Sequence, residues 1–192
     1  MNFEGSAPAD ARASAKSIMR NTISILVASE PGELSRIVGL FSARGYNIET
    51  ISVGKTLQPN WSRCTIVTEG DGRVIEQILK QCSRLARVRE AKSVTSQPHI
   101  EREMALIDVN AGRGAERQEI LNLVNIFRAK VVDISHDKLI LEASGNRDKV
   151  DTFIELLKPF HINEMTRTGC VAINRLSPFE REVEEFPEAI LT

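Results

Sequence analysis

The chain has 192 residues, 42% hydrophobic and 27% charged, with 25 Lys and Arg against 26 Asp and Glu. This globular composition excludes collagen-like, coiled-coil and disordered readings, and the length suits one large unit or two small ones. A net charge of −1 argues against nucleic acid or an anionic membrane as main partner, and no apolar run approaches the ~18–20 residues of a membrane span.

Residues 1–20 are rich in Ala and Ser, carry Glu4 and Asp10 and contain no apolar segment, so they read as a flexible extension of a cytoplasmic protein. Residues 22–28 (TISILVA) read as a buried strand. Pro31 and Gly32 break it, Ser29 or Glu30 is placed to cap a helix, and Leu34, Ile37, Val38 and Phe41 form its apolar face, with Gly45 as the stop. Residues 47–54 and 62–69 alternate as a hairpin around Gln58-Pro59-Asn60. A second helix carries Ile75, Ile78, Leu79 and Cys82, and residues 88–95 make a fourth strand.

After a linker at Gln97-Pro98-His99 the pattern recurs. Residues 103–109 predict a strand, and Ile120, Leu121, Val124 and Phe127 a helix face. Residues 130–135 and 138–143 predict a hairpin, Val150, Phe153, Ile154 and Leu157 a second helix face, and residues 162–173 a single closing strand. The fold class is therefore α+β: two tandem ferredoxin-like βαββαβ units, each a four-stranded antiparallel sheet with two helices on one face. The expected divisions are 1–20, 21–96, 97–175 and an acidic tail at 176–192.

Signs of catalysis are absent. Cys64, Cys82 and Cys170 are odd in number and widely separated, as thiols of a reducing compartment are. His99, His136 and His161 fall in turns or linkers without metal-ligand spacing, and Asp133, His136 and Asp137 read as solvated hairpin residues. Arg117 stands where a dinucleotide fingerprint beginning at Gly112 and Gly114 needs glycine. Lys80, Arg84, Arg87, Arg89 and Lys92 form a basic stretch without interleaved aromatics, a solvated face or a protein contact. One place reads as functional: Gly32 opens a helix directly after a core strand, where free N–H groups and the helix dipole suit a small carboxylate.

The stretch EPGELSRIVGLFSARGYNIE at residues 30–49 resembles the first ACT domain of the acetolactate synthase (acetohydroxyacid synthase) small-subunit family. IERE at 100–103, NIFRAKVVD at 125–133, FIELLKPF at 153–160 and RTGCVA at 167–172 resemble that family's carboxy-terminal domain, in order. The resemblance implies a non-catalytic partner of a large subunit that carries thiamine diphosphate, magnesium and FAD and makes branched-chain amino-acid precursors. It implies activation of that subunit, feedback inhibition by valine, and a homodimer through paired ACT domains with the effector at the interface. The family's effector loop falls on Ser29, Gly32, Glu33 and Leu34, and the contact from the neighbouring protomer on Asn47 and Ile48. By this likeness the N–H groups of Gly32, Glu33 and Leu34 take the effector's carboxylate. Asn47 bonds its ammonium or carboxylate, and Ile48 and Leu34 line the aliphatic pocket. Ser29 replaces the family's Asn or Asp and Glu33 a small or aliphatic residue. The expectation is that Glu33 points to solvent and valine still binds. The competing reading is a stand-alone ACT-type amino-acid sensor acting on another enzyme or a transcription factor. Arg84 to Arg89 is the candidate contact with the catalytic subunit.

Overall fold

The computed structural model describes residues 19–176, so most of the expected extension and of the acidic tail lies outside the described residues. β1 (Met19–Ala28) begins three positions before Thr22, which places Met19 and Arg20 in a strand rather than an extension. With α1 (Glu33–Ala43), β2 (Thr50–Lys55), β3 (Trp61–Gly70), α2 (Gly72–Cys82) and β4 (Val88–Ser93) it forms an antiparallel sheet of order β2-β3-β1-β4. The second unit comprises β5 (His99–Asn110), α3 (Ala115–Ile126), β6 (Lys130–Ile134), β7 (Lys138–Gly145), α4 (Arg147–Leu157), β8 (Ile162–Arg167) and β9 (Val171–Asn174). Its order is β6-β7-β5-β8, with β9 paired to the first residues of β5. The ferredoxin-like plan thus occurs twice, the second time with a fifth strand.

Each unit has its own core. In the first, Ile23, Ile25, Val27, Cys64 and Ile66 of the sheet pack against Ile37, Phe41, Ile75, Ile78 and Cys82 of the helices. In the second, Ile107, Val109, Leu139 and Leu141 pack against Ile120, Val124, Val150, Phe153 and Leu157. In the second unit β5 and β7 alternate in burial as a half-covered sheet demands, whereas β1 and β3 of the first are buried in continuous runs.

Four expectations are corrected. The buried stripe of α1 runs through Glu33, Ile37 and Phe41, while Leu34 and Val38 are exposed, because the helix is rotated one position from the purely apolar reading. Neither Ser29 nor Glu30 caps α1; Gly32 holds the N-cap position at φ 87°. The closing strand is two strands: Thr168-Gly169-Cys170 interrupts it, with Gly169 at φ 75° and its Cα hydrogens facing the Ile51 carbonyl and Thr50 of the first unit. His99 also belongs to β5, not to a linker.

That contact is part of a seam between the units. On the sheet face away from the helices, Thr22, Val67 and Thr50 lie side by side, and Thr22 and Val67 are fully buried. Gly169 sits on Thr50, the Thr22 hydroxyl donates to the Glu101 carboxylate, and the Val94 N–H donates to the Thr22 carbonyl at 2.8 Å.

Candidate functional site

The turn after β1 is held from below. The Ala28 N–H donates to the Arg87 carbonyl at 3.0 Å, the Ser29 N–H to the Asn60 carbonyl at 2.8 Å, and the Ser29 and Ser62 hydroxyls bond at 2.7 Å. Arg87 pairs with Glu30 at 3.4 Å, and Arg89 lies 5.6 Å over the Trp61 ring while donating to Gln58. Two arginines of the basic stretch are therefore engaged within their own unit, around this turn. Gly32 itself is exposed, and a Cβ there would meet nothing within 4 Å. No side chain caps α1, so the open turn presents the N-terminal end of a helix, with the partial positive charge that the peptide dipoles give it.

Glu33 does not point to solvent as expected. It is 4% exposed, and its carboxylate pairs with Arg36 at 3.1 Å. The cause is the helix rotation: Glu33 leads the buried stripe, and Arg36, one turn on, supplies its counter-charge. Leu34, in contrast, is 42% exposed beside the turn.

Asn47 and Ile48 lie at the other end of α1. The helix stops in a Schellman arrangement, with Gly45 at φ 69°, its N–H bonded to the Ser42 carbonyl and the Tyr46 N–H to the Phe41 carbonyl at 2.9 Å. The Tyr46 and Phe41 rings meet edge to face at 6.1 Å, which fixes the exit of the chain. The Thr68 hydroxyl then donates to the Asn47 carbonyl at 2.5 Å, and the Glu49 N–H to the Val67 carbonyl at 2.8 Å. Asn47 is exposed at the rim of a cavity of about 560 Å³ shared with Arg44, Glu69 and Val74, and Ile48 packs on the first core. An 11-residue helix is about 16 Å long. The chain therefore brings Ser29, Gly32, Glu33 and Leu34 together, but not with Asn47 and Ile48.

The equivalent turn of the second unit is closed. Gly114 is its N-cap at φ 89°, and Arg117 turns back to donate to the carbonyls of Ala111 at 3.0 Å, Ser135 at 2.9 Å and His136 at 2.8 Å.

A charged cluster at the seam had no role in the sequence reading. Glu49 takes Arg20 at 3.2 Å and also Arg147; Arg147 takes Asp151 at 3.2 Å; Asp151 takes Arg167 at 2.7 Å, and Arg167 takes Glu103. Arg20 also reaches Glu101 at 3.2 Å. The partners are up to 98 positions apart and follow no periodicity. Their only signal was that Glu49, Glu101, Glu103 and Arg167 lie within the stretches of family likeness.

Burial governs the thiols: it pushes Cys64 up to about 12, with Cys82 adding to the effect, and Cys82 and Cys170 up to about 11. At neutral pH all three are protonated and poor nucleophiles. Among the described residues no three His, Cys, Asp or Glu side chains gather as metal ligands, and no helix is long and apolar enough to cross a membrane.

Residues 23–90 match the family model described as the AHAS small subunit-like ACT domain, and residues 102–176 the model of the small subunit of acetolactate synthase. A probable acetolactate synthase small subunit of Archaeoglobus fulgidus is 46% identical over 157 residues, covering 82% of this chain and 98% of that protein. The acetolactate synthase small subunit of Aquifex aeolicus is 45% identical over 168 residues, covering 88% of each. The crystal structure of the small subunit from Thermotoga maritima superposes with a TM-score of 0.78 at 41% identity, covering 83% of this chain and 99% of that one.

Proposed function

The chain belongs to the family of acetolactate synthase small subunits, regulatory subunits that associate with the catalytic large subunit, and we propose that it is a non-catalytic, valine-responsive activator of that partner. On this reading residues 21–96 form the effector-binding domain and residues 97–175 the second domain of a cytoplasmic protein. Thiamine diphosphate, magnesium and FAD belong to the large subunit.

The observation that supports it is the open Gly32 turn at the start of α1, the helix after whose end Asn47 follows. β2 is an edge strand with Val53 exposed, and Leu34 and Val38 of α1 are exposed apolar residues of the same unit. An unpaired edge beside apolar side chains is stabilised by a second copy of itself. A two-fold axis perpendicular to α1 makes the two copies of that helix run antiparallel, so the start of one meets the end of the other. That operation carries Asn47 of the partner subunit, with Ile48, to the Gly32 turn and makes two identical pockets. The N–H groups of Gly32, Glu33 and Leu34 then receive the amino acid's carboxylate, the amide of Asn47 its polar groups, and Leu34 and Ile48 its branched side chain. Arg36 neutralises Glu33, so the turn does not confront the ligand with an unpaired negative charge.

Inhibition is then a coupling free energy: valine must bind one arrangement of the complex better than another. Calorimetric titration of the full chain with valine, leucine and isoleucine tests the site, and addition of valine to the reconstituted enzyme tests the regulation. Saturable valine binding together with loss of acetolactate output is expected. A folded dimer that takes up none of the three amino acids overturns the effector reading, and failure to associate with any large subunit overturns the role as a whole.

A further inference from the structure

We propose that Glu49 and Arg147 are positioning residues that tie the effector arm of the first unit to helix α4 of the second, making the second unit part of the valine-sensing device. This inference rests on the effector reading above and names the route by which the signal leaves the site.

The geometry carries the argument. Residues 46–49, the last four of the six that connect α1 to β2, form an arm in which the exposed Asn47 stands two residues before Glu49. The backbone of the arm is bonded only to β3, through Thr68 and Val67, and to the end of α1. The Glu49 side chain, however, leaves its own unit. One carboxylate oxygen is held by Arg20 of β1 and the other by Arg147, the first residue of α4. A cation in the first turn of a helix opposes the helix dipole. Arg147 is nevertheless there, flanked by Glu49 and Asp151.

From Arg147 the contacts continue without a gap into the second unit. Asp151 on the next turn of α4 binds Arg167 at the end of β8, and Arg167 binds the buried Glu103 of β5. One residue beyond Thr168, Gly169 rests on Ile51 and Thr50, which directly follow the arm. A displacement of the arm on ligand binding therefore meets two groups of the second unit at once, the α4 guanidinium and the Gly169 turn. Coupling of this kind needs a physical element that both sites bias, and the shared carboxylate supplies it.

The test uses the full chain reconstituted with its large subunit, with Arg147→Gln, Glu49→Gln, the double variant and the conservative Arg147→Lys. Lys158→Gln, which removes only the local pair with Glu155, is the control. Each single Gln variant is expected to raise the half-inhibiting valine concentration by about fivefold or more. The double variant should do no worse than the singles, because both remove one shared interaction. Arg147→Lys should recover part of the response. Alkylation of Cys170, followed residue by residue by mass spectrometry, should quicken in the Gln variants and not in the control, which separates loosening of the seam from general unfolding. Variants that match the wild type in valine response, or single effects that simply add, overturn the inference and leave the effector reading intact. A wild-type chain that binds no valine overturns the effector reading and this inference with it.

Discussion

Gly32 and Gly114 stand at the same place in two copies of one plan, each preceding a helix, at φ 87° and 89°. Their surroundings differ through the residue three positions on. Arg117 folds back over the second turn and occupies it with three donated hydrogen bonds, whereas Ser35 is too short to reach back over the first. The same strand-to-helix turn is thus open in one copy and occupied by an arginine in the other, and its glycine differs in ψ as well, −14° at Gly32 against −128° at Gly114. The sheets differ in the same sense: the first is covered on both faces around Thr22 and Val67, while β6 of the second is exposed along its whole length.

The largest expected effects probe what the copies share. Phe41→Ala and Phe153→Ala each remove a fully buried ring and should lower stability by about 3–5 kcal/mol in denaturant titrations. Phe41→Ala also releases Tyr46 and the Asn47 arm directly, so it should blunt the valine response of the folded protein more than Phe153→Ala does; equal losses would remove the asymmetry. Gly32→Asp, which adds a carboxylate at the open turn, should raise the half-inhibiting valine concentration at least about tenfold, or about 1.4 kcal/mol. Gly114→Asp should leave it unchanged.

Gly169→Ala places a Cβ 3.3 Å from the Ile51 carbonyl at a positive φ. The strain of about 1–2 kcal/mol should lower Tm by a few degrees and speed alkylation of Cys170. Asp71→Ala and Asn146→Ala remove the side chains that cap α2 and α4, and should cost about 1 kcal/mol each. Here the two units should behave alike.

Acid should separate the units before it melts them. Burial alone would raise the Glu101 pKa, but hydrogen bonds from Thr22 and Arg20 and the charges of Arg20 and His99 hold it below the usual carboxylate range. Asp151 is likewise lowered by Arg167 and Arg147 against the effect of burial. A depressed carboxylate contributes stability in full above its unfolded value, about 4, and loses it as pH falls through the lower folded value. Hydrogen exchange at β9 should therefore accelerate below about pH 4, ahead of exchange in β3 and β7; simultaneous loss would contradict the order.

The order of elements was legible because apolar residues recur at helical and strand spacings. On α4 all of Val150, Phe153, Ile154 and Leu157 proved buried. The face of α1 was misread because its leading buried residue is a glutamate, which no apolar count selects. The break at Gly169 was missed because Thr168-Gly169 is only a weak turn signal between two β-compatible runs; what interrupts the strand there is a surface of the other unit. Within the candidate site, the Gly32 turn announced itself through the strand-Pro-Gly-helix order. Asn47 could be nominated only through family likeness, since within the chain it lies at the far end of α1 from the Gly32 turn. The Glu49–Arg147 pair joins residues brought together only by tertiary docking, and such pairs leave no local trace.

β5 is one strand of 12 residues, about 40 Å long, whose opening residues pair with β9 at the seam and whose remainder runs through the centre of the second sheet. Only residues 94–98 separate it from β4. With so short a tether there is little slack for one unit to swing against the other, and the strand that starts at the seam ends in the middle of the far sheet. Lengthening that tether should leave both units folded and make their docking rest on the seam contacts of Glu49, Arg20, Thr22 and Gly169.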